Sequence, residues 1–293
     1  MAVYLDPPRW PAHGTMFSHL ISNESLEELH TFAAAAGIPE RAFDRDHYDV
    51  PERRREDLIA QGAIAVEARE LTRLLIASGL RVPARQRSES LETALRLRWE
   101  ALLPDAAQLA AELLERWAEP HRHYHSRTHL LAVLEALELL DDQLPRPVAL
   151  AAWFHDAVYN GIAGQDEEDS AQLAETLLGV HLPAAEVLEV ARLVRLTANH
   201  DPQLEDRNGS LLCDADLAVL GGSAEDYARY RNAVRQDYLH VPEADFRRGR
   251  AAVLRQLLAL NPLYRSAFAQ KLWGSHAVEN LQAELSELET QLG

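Results

Sequence analysis

The chain has a single cysteine, Cys213, a single lysine, Lys271, few aromatic residues (6%) and no long apolar run. A lone thiol excludes an internal disulfide framework and a cysteine-built zinc site, and it fits a reducing compartment. No apolar stretch nears the roughly 18 residues that span a bilayer, and no charged-then-apolar leader opens the chain. The expectation is a soluble, cytoplasmic protein that does not enter membranes. Positive charge is short as well: 29 basic residues against 46 acidic ones leave a net charge of -17. Phosphate backbones and anionic lipid surfaces need a basic face, so no nucleic-acid or membrane binding is expected. The acidity reads as solubility and the scarcity of lysine as coding bias; neither names a substrate. What is present is an apolar fraction of 47% in 293 residues, enough to bury a core in one large domain or two ordinary ones.

Two regions differ in patterning. Val3-Tyr4-Leu5 reads as a short strand ended by Pro7-Pro8, and Arg9 to His19 shows no helical period. Ser25 and Glu28 form a capping box for a helix through Ala36, which Gly37 stops. Pro51 stands at a first helical position, and the charged run Glu52 to Asp57 reads as a solvated helix face. A second helix is expected from Ala65 to Ser78, then a short edge strand at Leu80-Arg81-Val82. Residues 1–85 therefore read as a small α/β domain. Its Asp6, His13, His19, His47 and Asp49 lie in turn-rich segments, where functional residues concentrate. The equal alternative is that Trp10, His13 and Tyr48 pack a small, loop-rich core. Residues 83–90 (PARQRSES) read as a linker.

From residue 90 to 293 every periodic segment is helical, with no strand and no repeat, so the fold class is mainly α: an all-α bundle preceded by the α/β domain. Pro104, Pro147, Pro183, Pro242 and Pro262 break or start helices, and Ser223 caps one. The acidic run Asp166 to Asp169 is expected just before a helix from Ser170 to Leu178. The last helix is expected from about Trp273 to Leu292.

The chemistry centres on Ala149 to Tyr159, where a helix apolar on every side runs into His155 and Asp156 before the turn Asn160-Gly161. An all-apolar helix is normally buried, and a buried imidazole beside a buried carboxylate is costly unless both are paired or bound to a metal. Metal ligation at a helix end is one reading; an ordinary solvated helix end is the other. Two further segments bear on the choice. Upstream, Tyr124-His125-Ser126-Arg127-Thr128-His129 opens an amphipathic helix with a His in its first turn. Downstream, Asp214-Ala215-Asp216-Leu217-Ala218-Val219-Leu220-Gly221 presents a carboxylate at the head of an apolar helix. One His, then His-Asp, then a distant Asp, each on its own helix, resembles the HD superfamily of metal-dependent phosphohydrolases over roughly residues 90–290. The likeness is strongest to a small bacterial branch with YHxxxH, FHDxVY and DADLxxLG motifs.

The resemblance implies His129, His155, Asp156 and Asp216 as ligands of a divalent cation, with Mn, Fe, Co, Ni, Zn and Mg all left open. Asp216 is preferred to Asp214, which reads as a helix cap. The family's chemistry implies hydrolysis of a phosphate ester or anhydride, foremost of a nucleotide, by metal-activated water, with Asp156 also serving as proton acceptor. His125, one helical turn before His129, reads as a substrate contact or a loop residue. Resemblance also puts His200 and Glu167 among catalytic candidates, against a helix-end cation and a solvated charge run. Arg122 and Arg127 are the candidates for phosphate. The segments YLDPPRW, HGTMFSHL and DHYDVP resemble a bacterial domain family of unknown function that is sometimes fused to HD domains. Two alternatives stand beside the hydrolase: a non-catalytic nucleotide-sensing module, or an enzyme seated in the N-terminal domain. Oligomeric state is left open.

Overall fold

The computed structural model describes residues 2–12, 14–44, 46–78, 80, 91–162 and 164–292. The chain divides into two compact units, Met1–Gln86 and Arg87–Gly293. The protein is mainly α: among the described residues there are thirteen α-helices, and strands occur only in the first unit. No described helix is long and apolar enough to cross a membrane.

The first unit is built on a mixed sheet. Its strands are β1 (Val3–Leu5), β2 (Trp10–Ala12), β3 (Thr15–Ser22), β4 (Phe43–Asp44), β5 (His47–Pro51) and β6 (Ile64–Ala65). They run in the order β4-β5-β3-β1-β6, with β2 a hairpin arm on β3. Among the described residues only β1 and β6 are parallel. The stretch without helical period is thus the β2–β3 hairpin, and β6 occupies the beginning of the second expected helix. That helix, α3, spans Ala68–Ala77, after α1 (Leu26–Ala35) and α2 (Arg55–Ala60). Pro51 ends β5 rather than starting a helix, and a 3-10 turn, Glu52–Arg54, intervenes. Half of the expected capping box forms: Ser25 Oγ accepts from Glu28 N–H at 3.1 Å. The other half is replaced, because Ser25 N–H donates to Ser22 Oγ and Glu28 accepts from that same hydroxyl. Leu5, Leu20, Tyr48 and Val50 pack with Leu29, Ala33 and Leu58 on one sheet face, while Ile21 packs with Leu71 and Leu75. His13, the expected strand at 80–82 beyond Leu80, and the linker 83–90 lie outside the described residues.

The second unit is helical from α4 (Leu91–Leu102) to α13 (Ala267–Leu292). At its centre lies α7 (Arg146–Phe154). Pro147 in its first turn suits the helix start, and Val148 through Phe154 are all buried. Around it stand α6 (Arg127–Leu140), α9 (Ala184–Leu196) and α10 (Arg207–Asp216). Three tryptophans fill the core. Trp117 Nε1 donates to the Trp153 carbonyl at 2.9 Å, Trp99 Nε1 donates to Ala106, and the rings of Trp99 and Trp153 meet edge to face. Burying such rings contributes several kcal/mol each, and the bonded N–H groups avoid a desolvation penalty.

Helix starts differ from expectation where a cap lies upstream of the apolar run. Helix α8 spans Gln165–Leu178, so the acidic run is its first turn, where it meets the positive end of the helix dipole. Asp206 accepts from Gly209 N–H and starts α10 early; Asp216 therefore closes that helix instead of heading one. Helix α13 starts at Ala267, not at Pro262 or Trp273. It packs on the 3-10 turn Leu217–Gly221 that follows Asp216. A Cβ on Gly221 would come within 2.7 Å of the Trp273 backbone, so glycine is what permits the approach. Asn280 Nδ2 and Tyr264 Oη donate to carbonyls of the same turn. Farther along α13, Glu284 accepts two bonds from Arg250 on α12 (Glu243–Ala259) and one from Tyr227 on α11 (Ala224–Asp237).

Candidate functional site

Three helices deliver four side chains to one point of the second unit. His129 sits in the first turn of α6, held inward by the buried Leu130, Val133 and Leu134. His155 caps the end of α7, and Asp156 follows it. Asp216 ends α10. His129 Nε2 lies 3.1 Å from His155 Nε2 and 3.0 Å from Asp216 Oδ1. Asp156 Oδ2 is 3.1 Å from His155 Nε2 and 3.7 Å from His129 Nε2. Both imidazoles are buried, and Trp117 lies against their rings.

The tautomer of His155 follows from its surroundings. Its Nδ1 is 2.8 Å from the Ala152 carbonyl oxygen, which only accepts, so Nδ1 carries the hydrogen. In the neutral ring Nε2 then presents a lone pair to His129 Nε2 and two carboxylate oxygens. Lone pairs and negative charge converging away from water are unfavourable unless a cation joins them. Burial lowers the His129 pKa. Burial also opposes charge on His155, but the Asp156 and Asp216 carboxylates outweigh it and hold that pKa well above the imidazole range. Burial likewise raises both carboxylates, and His155 more than offsets it, holding Asp156 and Asp216 well below their usual range. The field at this point draws positive charge. His129, His155 and Asp216 each offer a ligand atom within 4.8 Å of the others. Ligands about 2.1 Å from one ion stand about 3.0 Å apart across an octahedral edge and about 3.4 Å apart in a tetrahedron, so these spacings suit a first-row divalent ion.

Residues 3–78 match a family described as a protein of unknown function (DUF4031). No curated protein matches the chain, and no solved structure does. The matched segment ends before the helical unit begins.

The other candidates separate into those at the site and those committed elsewhere. His200 is at the site: its Nε2 is 2.7 Å from Asp216 Oδ2. It adopts a left-handed backbone (φ 52°), uncommon for a residue with a Cβ and costing about 1–3 kcal/mol. His125 stacks on Tyr159 with 4.2 Å between ring centres and contributes to lowering the Asp156 pKa. Asp214 is elsewhere: its oxygens accept from Arg265 and Ser266 N–H at the entry to α13, so it caps that helix and not its own.

Arg122, a candidate for phosphate, is placed inside the unit. Its guanidinium is closed to solvent and donates to Glu119 and to the carbonyls of His125, Asp156 and Ala157. It braces the backbone that carries the His-Asp pair. Arg127 donates to the Leu114 carbonyl and pairs with Glu92. Glu167 accepts from Gly164 N–H at 2.6 Å and caps α8.

Asp237 and Tyr159 are two further residues at the site. Asp237 is fully buried and accepts from the backbone N–H groups of His123, Tyr124 and His125 and from His125 Nδ1 at 2.9 Å. Burial raises its pKa, but His125 and the backbone donors outweigh this and keep it low. One signal was available: an Asp in the last turn of a helix opposes the dipole, which is unfavourable unless a partner holds it there.

Proposed function

We propose that the helical unit is a metal-dependent phosphohydrolase whose cation is held by His129, His155, Asp156 and Asp216. The observation that carries this reading is the His155 Nδ1 bond to Ala152, which turns Nε2 toward a second imidazole and two carboxylates. A backbone carbonyl orienting a ligand histidine is the usual support of a metal site. A divalent ion there would supply Lewis acidity toward a phosphoryl oxygen and lower the pKa of water at the site.

The chain's own groups set the rest. Asp156 takes the proton of the attacking water as the P–O bond to the leaving group breaks. With Nδ1–H held by Asp237, the imidazolium form of His125 donates its Nε2 proton to the departing oxygen, and stacking on Tyr159 fixes the ring plane. His200 holds Asp216 Oδ2, leaving Oδ1 toward the two imidazoles. Trp117 excludes water from beneath the pair. The substrate is a phosphate ester or anhydride; nucleotides come first by resemblance to the HD superfamily. Because Arg122 and Arg127 are engaged, substrate charge is met at the centre itself rather than by an arginine clamp.

The test is metal analysis with a phosphatase screen across nucleotides and simple esters, on wild type and on His155→Ala with Asp156→Ala. Wild type retains a divalent ion and releases phosphate from at least one compound; the double variant loses both. Full hydrolysis by the folded double variant would refute the reading.

A further inference from the structure

The first unit holds a second convergence of histidines, arranged by strand register. His19 on β3 stands directly opposite Asp49 on β5, so both point to one face of the sheet. His47 lies two residues before Asp49 on the same strand and shares that face. Tyr48 and Val50, between and beyond them, point to the buried core. The rings of His19 and His47 meet edge to face with 4.8 Å between centres.

Each ring is oriented by its own carboxylate. Asp6, just past the end of β1 and 1% exposed, accepts from His19 N–H at 2.6 Å and lies 2.9 Å from His19 Nδ1. Asp46 is fully buried, with Oδ1 2.5 Å from His47 Nδ1. A carboxylate on Nδ1 places the hydrogen there and makes Nε2 the more basic, ligating nitrogen, the arrangement that supports metal-bound histidines. Both Nε2 atoms face the same oxygen: Asp49 Oδ1 is 3.5 Å from His47 Nε2 and 3.9 Å from His19 Nε2. Ligands of a tetrahedral zinc stand about 3.4 Å apart, so the spacing asks for only a small adjustment. Two buried carboxylates aiming two imidazoles at one oxygen exceed what packing requires. The Asp49 side chain is 47% exposed, so one side of the cluster opens to solvent. The half-exposed Trp10 lies beside His19 at its rim.

We infer that the N-terminal unit binds a first-row divalent transition-metal ion through His19 Nε2, His47 Nε2 and Asp49. Two imidazoles and one carboxylate select Zn, Co, Ni or Fe over Ca and Mg. Three protein ligands with an open side leave a position for an exchangeable group, as in catalytic rather than closed structural sites. All five residues lie within the segment that matches the family of unknown function. This site shares no residue with the helical one.

Zinc is the probe. The full chain is stripped with chelator, reloaded with Zn2+ and dialysed, and zinc per chain and zinc affinity are measured. The variants are His19→Gln with His47→Gln, Asp49→Asn, Asp46→Asn, and His129→Gln with His155→Gln. Expected results are one zinc fewer per chain in the first variant, at least tenfold weaker binding at this site in Asp49→Asn, and about 10–100-fold weaker binding in Asp46→Asn. The helical-unit variant keeps this zinc, and loss of it there would overturn the assignment to His19, His47 and Asp49. Asp49 is half exposed, so its variant decides the matter even if the double histidine variant fails to fold. Wild-type zinc content and affinity in Asp49→Asn would show a purely ionic His-Asp cluster and overturn the inference.

Discussion

The two units gather histidines in opposite ways. In the sheet unit, strand register aligns His19, His47 and Asp49 on one half-open face, and buried carboxylates, Asp6 and Asp46, orient the rings from behind. In the helical unit the carboxylates stand beside the imidazole nitrogens themselves, and a backbone carbonyl orients His155. The difference lies in where the negative charge is kept. Asp156 and Asp216 at the centre leave it strongly demanding of a cation, and the site is closed underneath by Trp117. In the sheet unit most of the charge is one bond removed, and solvent reaches Asp49. The helical cluster should therefore depend on its core, and the sheet cluster on its orienting carboxylates.

Truncating the core of one unit should expose this contrast most. Trp117→Ala removes a fully buried ring that touches both site histidines and breaks its bond to Trp153. The cost expected is about 3–5 kcal/mol, read as a lower denaturant midpoint of the helical signal. Zinc binding at His19, His47 and Asp49 should survive, and its loss would show that the contrast between the units is wrong. A smaller effect is expected from His200→Gly. It relieves the left-handed backbone, so stability should hold or rise. Release of Asp216 Oδ2 should nevertheless weaken metal affinity of the helical site by about 10–100-fold; unchanged affinity would reduce His200 to a helix-end residue.

The smallest effect concerns acid stability, away from both clusters. Burial raises the Glu284 pKa, but bonds from Arg250 and its charge outweigh it and hold the folded value below the usual carboxylate range. A depressed folded pKa contributes stability that is full above the unfolded value and is lost as pH falls through the folded one. Between pH 6 and pH 3, urea midpoints of Glu284→Gln should therefore fall less steeply than those of wild type. The variant should also be less stable at pH 6, since the buried Arg250 loses its charged partner. Parallel slopes would show that the pair does not titrate in the folded chain.

Much of the helical architecture was legible because apolar periodicity and helix punctuation agree there. His155 and Asp156 stand out for a physical reason: polar residues at the end of an all-apolar helix need an explanation. Asp216 was visible as a carboxylate among apolar residues, but its place at the helix end depends on Asp206, a cap ten residues upstream. For Arg122, Arg127 and Glu167 the sequence shows charge and not what neutralises it; each bonds to nearby backbone. In the sheet unit the β2–β3 hairpin was hidden because both faces of β3 are partly covered, which blurs the alternation between apolar and polar positions. The pairing of His19 with Asp49 is a matter of register across thirty positions, which local patterning does not encode.

The central claim is tested most directly by diffraction from crystals grown with Mn2+, recorded for anomalous scattering. A peak about 2.0–2.3 Å from His129 Nε2, His155 Nε2 and oxygens of Asp156 and Asp216 is predicted. Contradiction would be a helical centre with no peak, in which a protonated His155 Nε2 donates directly to Asp156 or Asp216.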